Sequence, residues 1–189
     1  MNTYFTSAAS LLIEAIFGLY MMLVLVRLIL QLVRADFHNP ICQFVKATNP
    51  LLKPLRRIIP GLAGIDMAAV LLLIMLQMLK IFLMATAAGM TLPFAGLAVI
   101  SLGELIATIL NFYMISILMQ VILSWIGPGG QNPLTSILYY LNEPIMRPVR
   151  GLLPAMSGVD LSPILIFLAI GLLKILVVSP ILDLGQRLA

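Results

Sequence analysis

Residues 49–66, NPLLKPLRRIIPGLAGID, return at 142–160 as NEPIMRPVRGLLPAMSGVD, and that return decides the fold. Asn49 answers Asn142. After one extra residue, Glu143, the residues Pro50, Pro54, Arg56, Pro60, Gly64 and Asp66 answer Pro144, Pro148, Arg150, Pro154, Gly158 and Asp160. Lys53 answers Arg147, which keeps the charge. Working outward, Asn39-Pro40 answers Asn132-Pro133 and Tyr20-Met21 answers Tyr113-Met114, while beyond the insertion Lys80 answers Lys174. The match runs from polar loops into long apolar runs, so the chain reads as two copies of one module, and the repeat sets the architecture.

Composition names the solvent of that module. Of 189 residues 62% are hydrophobic and 10% charged, with a mean hydropathy of +1.14. Soluble domains carry about 25% charged residues, so lipid must cover this surface. A hydrocarbon core of about 30 Å takes about 20 apolar residues to cross. Four segments qualify: 8–34, 65–89, 99–126 and 159–182. The predicted fold class is an all-α integral membrane protein, a tandem parallel repeat of a two-helix module occupying 1–92 and 93–189. Short amphipathic interfacial helices are expected in its two basic loops. The stretch from Met90 to Gly127 exceeds one span, which predicts either a separate interfacial or re-entrant piece around Thr91–Ile100 or a tilted helix. No Lys or Arg precedes the first apolar run, so that run is expected to be a retained span rather than a cleaved leader.

Orientation follows from the basic residues outside the spans. One loop holds Arg34, Lys46, Lys53, Arg56 and Arg57, the other Arg147 and Arg150, and the join between the copies holds none. Both loops are expected in the cytoplasm, with the join and both termini on the far side; Arg187 is the mild exception. The single cysteine, Cys42, excludes an intramolecular disulfide.

Within the loops, Asn39-Pro40, Asn49-Pro50 and Asn132-Pro133 read as N-cap followed by N1, with Glu143-Pro144 in the fourth place. Helices are expected to start near Pro40, Pro50, Pro133 and Pro144, and Pro54 and Pro148 to bend or end them. Lys53, Arg56, Arg57, Arg147 and Arg150 alternate with aliphatic residues and suit an anionic leaflet, each worth about 1 kcal/mol there. Arg56 and Arg150 alternatively hold a phosphate or the carboxylates of Asp66 and Asp160. Asp66 and Asp160 open the following spans, where a carboxylate suits the helix dipole. Asp66 alternatively pairs with Arg27, which the repeat replaces with Gln120.

Glu14, Lys80, Glu104 and Lys174 fall inside the apolar spans, where ionisable groups are rare. Their depths suggest the pairs Glu14–Lys80 and Glu104–Lys174, with the cross-copy pairing open. They are read as static bridges, or else as a polar route for protons or cations lined by Gln77, Asn111, Ser116 and Gln120. No nucleotide loop, zinc helix or nucleophile–base pair occurs, and His38 is the only histidine. No cofactor, resident metal or nucleic-acid partner is expected, and an enzyme is the weakest reading.

Ser124-Trp125, Asn132-Pro133, Asn142-Glu143-Pro144, Arg147-Pro148, Arg150 and Asp160-Leu161-Ser162-Pro163 resemble the YggT (YlmG) family of small bacterial integral membrane proteins. The first copy departs from that pattern: Asn49-Pro50 stands for Glu-Pro, and Asp66-Met67-Ala68-Ala69 lacks Ser-Pro. The resemblance implies a multi-pass protein of the bacterial inner membrane linked to osmotic or extracytoplasmic stress tolerance. It also links relatives to division gene clusters and to cytochrome assembly and nucleoid distribution in plastids. Two functions follow as expectations: a non-enzymatic scaffold or assembly factor working with anionic headgroups and membrane-protein partners or further copies of itself, or a potassium or proton channel or carrier.

Overall fold

Inside hydrocarbon a backbone N–H or C=O has no water to bond, so an apolar run must satisfy its polar groups internally as helix. The computed structural model describes residues 3–33, 48–62, 64–126, 133–152 and 160–189. Its elements are α1 (Thr3–Leu32), α2 (Asn49–Ile58), α3 (Met67–Ala87), α4 (Phe94–Ile126), α5 (Pro133–Leu152), α6 (Ser162–Leu173), a π turn (Lys174–Val178) and α7 (Ser179–Arg187). Four stretches are long and apolar enough to cross a membrane: Tyr4–Leu32, Met67–Ala87, Phe94–Ile126 and Ser162–Arg187. The protein is therefore an all-α membrane protein built on a repeat. Below, the end of the bundle that carries α2 and α5 is the basic-loop end, and the opposite end is the join end.

Each copy is a helical hairpin. In the first, α1 packs against α3; in the second, α4 packs against α6, the π turn and α7; α3 and α4 join the two. The main core draws Met21, Val24 and Leu25 from α1, Leu72 and Leu73 from α3, and Leu105 and Phe112 from α4. Leu52 of α2 and Leu141 of α5 close it at the basic-loop end. Leu11, Leu12, Ile16 and Leu19 on the join-end half of α1 are exposed, the surface a lipid-facing helix presents.

Small residues set the approach of α7 to α4. A Cβ on Gly103 would meet Leu182 at 2.8 Å, and one on Gly185 would meet the Ile100 backbone nitrogen at 2.9 Å. Such contacts replace the hydrophobic drive that lipid removes. At the join, α3 stops on Gly89, whose φ is +74°. The N–H groups of Gly89 and Met90 return to the carbonyls of Thr86 and Ala85 at 3.0 and 2.9 Å, so the helix end is closed by a Schellman motif.

One open alternative is decided here and three expectations change. First, α4 runs unbroken for 33 residues, so no separate piece forms within 94–100. At 1.5 Å per residue it is about 50 Å long, and it must tilt or protrude. Second, α5 is one helix through Pro144 and Pro148 rather than two short ones. The acceptors left without donors belong to the exposed Tyr140 and Pro144, where solvent or headgroups can take over. Third, Thr48 precedes α2 as its cap residue, and Asn49 lies inside the helix. Fourth, the last span continues to Arg187 through a π turn, in which the Ser179 N–H bonds the Lys174 carbonyl five residues back. Pro180 has no N–H, and its ring would clash with the Leu176 carbonyl in a regular helix; widening the turn avoids this. The expected helix start at Pro40 lies outside the described residues, as do His38 and Cys42.

Candidate functional site

At the basic-loop end each copy closes with a clasp. Asp66 caps α3, its Oδ1 accepting the Ala69 N–H at 3.3 Å. Its Oδ2 accepts Nε of Arg56 at 3.0 Å and also bonds Nη2 of the same guanidinium. In the second copy Asp160 accepts the Ser162 N–H at 2.9 Å through Oδ1 and Nε of Arg150 at 2.9 Å through Oδ2. The spacing of arginine to aspartate is ten residues in both. Glu143, the inserted residue, takes Nη1 of Arg150 at 2.9 Å. Asp66 is 5% exposed and Asp160 42%, so the carboxylate of the first clasp is dry and that of the second is partly wet, while the two arginines are equally exposed. Partial burial pushes the Asp160 carboxyl up, but the bonds from Ser162 and Arg150 outweigh it and hold the group below its ordinary value. Burial pulls the Arg150 guanidinium down, and Asp160 and Glu143 more than reverse that.

A second contact ties each loop to its first span. Arg27 donates through Nη1 to Thr48 Oγ1 at 2.9 Å and to Asn49 Oδ1 at 2.6 Å. At the matching positions Asn142 donates through Nδ2 to Gln120 Oε1 at 2.7 Å, and its Oδ1 accepts Ser116 Oγ at 2.6 Å. Among the described residues no hydrogen bond joins Arg27 to Asp66, although the carboxylate lies near enough to act on the guanidinium through space; Arg56 holds Asp66, and the Asn49 carboxamide faces Arg27 instead of capping α2. Sequence offers Thr48 only as a polar residue beside the repeat-matched Asn49, and offers Ser116 and Gln120 only as polar residues within a span, not as partners of Asn142.

Lys53, Arg57 and Arg147 are exposed on α2 and α5. Asn132 lies outside the described residues.

Toward the join end, Glu14 of α1, Lys80 of α3 and Glu104 of α4 line one cleft of about 360 Å³. Among the described residues none of the three makes an ion pair. Lys174 is not paired with Glu104; its ammonium donates to Asn111 Oδ1. Asn111 lies seven residues beyond Glu104, about 10 Å along α4, and the register of the last span brings Lys174 to that level. The expected second pair is thus replaced by a cluster drawn from both copies. One turn inward of Lys80, Gln77 is fully buried with neither amide atom bonded.

Fold and site together define a two-copy, all-helical, multi-pass membrane protein. The family model described as CCB3/YggT matches it twice, over residues 6–87 and 99–181, and the chain belongs to that family. It is 42% identical over 176 residues to an uncharacterized protein of Pseudomonas aeruginosa, covering 92% of this chain and 89% of that one. An uncharacterized protein of Vibrio alginolyticus, in the region 3' of proC, is 39% identical over 167 residues, 87% of this chain and 90% of its own length. The uncharacterized protein YggT of Escherichia coli K12 is 37% identical over 158 residues, 83% and 82% of the two chains. No solved structure matches.

Proposed function

We propose that the protein is a non-enzymatic inner-membrane scaffold or assembly factor supporting osmotic and extracytoplasmic stress tolerance. In this reading the basic loops lie in the cytoplasm and both termini on the periplasmic side. The stress role rests on the family resemblance. The observation that carries the scaffold is the division of labour among the loop cations. Arg56 and Arg150 are spent on Asp66 and Asp160, which fixes α2 and α5 to their hairpins. Lys53, Arg57 and Arg147 are left exposed, a preset basic surface for anionic headgroups or a partner.

The second reading is a potassium or proton channel or carrier, favoured by the gathering of Glu14, Lys80 and Glu104 in one cleft. Liposome flux separates the two. The scaffold predicts no potassium or proton flux, together with defined partners recovered when photo-cross-linkers replace Lys53 and Arg147 in cells. A flux abolished by Glu14→Gln and Glu104→Gln would replace it with transport.

A further inference from the structure

We propose that the join-end cleft binds the headgroup of a phospholipid carrying both a primary ammonium and a phosphate, of the phosphatidylethanolamine type. The proposal stands apart from the scaffold reading, since it concerns the opposite end of the bundle and needs neither loop.

The argument begins with charge. Glu14, Lys80 and Glu104 come from three different helices to one cleft, yet among the described residues none of them forms an ion pair. Charged groups at membrane depth are costly unless something answers them. A bare cation drawn to the two carboxylates meets the Lys80 ammonium. A bare anion drawn to Lys80 meets two carboxylates. A zwitterion meets neither conflict: its phosphate takes Lys80, and its ammonium, with three N–H donors, takes Glu14 and Glu104.

Position points the same way. Lys80 lies seven residues from the end of α3 at Ala87, about 10 Å along the helix. Ala88 and Met90 line the cleft beyond that end, so it runs from the join-end surface down to the charges. Its wall is otherwise apolar, with Ile81, Met84 and Ile100, which suits the first methylenes of the acyl chains. Beside it Leu79, Phe82 and Leu102 are exposed and offer a track for acyl chains. The volume falls within the range of about 300–1,000 Å³ usual for small-ligand pockets. Below Lys80 the unbonded amide of Gln77 continues the polar stripe inward, so the shortage of partners extends beyond the three charges.

The test uses the delipidated full chain in detergent, titrated with phosphatidylethanolamine, phosphatidylcholine and phosphatidylglycerol of matched chains. Native mass spectrometry reads retained lipid, and thermal unfolding reads protection. Phosphatidylethanolamine should be retained at least about tenfold better than the other two, because a quaternary ammonium donates no hydrogen bond and a glycerol headgroup carries no cation. Free phosphoethanolamine should compete. Lys80→Met should remove the preference, and so should Glu14→Gln, which alters an exposed side chain and leaves the lipid-free unfolding midpoint unchanged. Equal retention of the three lipids, or a preference surviving both substitutions, overturns the proposal. Protection by potassium chloride alone, equal to that by the lipid, overturns it in favour of a simple cation site. Failure of phosphoethanolamine to compete places the lipid on the apolar surface and overturns it as well.

Discussion

In the first copy Arg27 reaches from α1 to Asn49 while Arg56 locks onto a dry Asp66; in the second, Gln120 and Ser116 hold Asn142 while Arg150 is shared between Glu143 and a wetter Asp160. The positions correspond, yet the donors and acceptors trade places. A carboxamide allows this, since it accepts through oxygen and donates through nitrogen: Asn49 accepts from a guanidinium, and Asn142 donates to a glutamine. Among the described residues the first clasp joins one guanidinium, Arg56, to one carboxylate, with the Arg27 cation in the neighbouring loop contact, and the second clasp joins one guanidinium to two carboxylates. The second copy thus has a neutral Gln120 where the first has Arg27, and an added carboxylate at Glu143. What the repeat keeps is the tie between loop and span, and what it varies is the charge that makes it.

If the dry clasp matters more than the wet one, aspartate removal should be unequal. Asp66→Ala strands Arg56 and uncaps α3. Breaking a buried pair costs about 3–5 kcal/mol and losing a cap about 1 kcal/mol. Arg56 is 36% exposed, so the pair must be discounted for solvent, and a total of about 3 kcal/mol is expected. Asp160→Ala should cost about 1 kcal/mol, because that carboxylate is already partly solvated and Arg150 keeps Glu143. Denaturant unfolding in micelles followed by circular dichroism measures both. Equal losses would break the distinction between the clasps.

The carboxamides come next. Asn142→Ala leaves Ser116 and Gln120 facing each other across a gap in a buried place, for about 2 kcal/mol. Asn49→Ala leaves Arg27 its bond to Thr48 and should cost about 1 kcal/mol. The same unfolding measurement orders them, and a reversed order would mean that Asn49 is the more deeply committed residue.

Legibility follows the range of the interaction. The four spans, the doubling and the place of Asp66 at a helix start are readable because hydropathy, repetition and a helix N-terminus are local signals. The partnership of Arg56 and Arg150 with Asp66 and Asp160 was readable as one option, since each pair is ten residues apart in matching contexts. The role of Asn142 is not legible, because its bonds run to Ser116 and Gln120 of a neighbouring helix, more than twenty residues away. Proline misleads once: Pro144 and Pro148 sit on the exposed face of α5, where missing donors are tolerated, and the helix runs through both. Depth alone pairs Lys174 with Glu104, and a register difference of two turns, invisible in sequence, gives it to Asn111 instead.

The inserted residue tests how far the second clasp is shared. Glu143→Gln removes one charge from a partly exposed site and keeps the Arg150–Asp160 bond, so about 0.5 kcal/mol is expected. The double change Glu143→Gln with Asp160→Asn should exceed the sum of the single ones, because either carboxylate alone still answers Arg150. Strict additivity, read from the same unfolding curves, would mean that the two carboxylates act independently.

Acid gives the smallest effect and separates the copies by exposure. Partial burial raises the Asp160 carboxyl, but the bonds from Ser162 and Arg150 prevail, so its folded value lies below the ordinary 3.8. A carboxylate lowered on folding contributes its full stability above the unfolded value and loses it as pH falls through the folded one. The gap in stability between the wild-type chain and Asp160→Asn should therefore be constant at neutral and mildly acid pH, then close as pH drops below the ordinary carboxylate range. In the Glu143→Gln background it should close at the same end of the scale, because the Ser162 and Arg150 bonds to Asp160 remain. If the two proteins run parallel to the lowest pH at which both stay folded, Arg150 does not hold Asp160 in its charged form, and the second clasp rests on Glu143 alone.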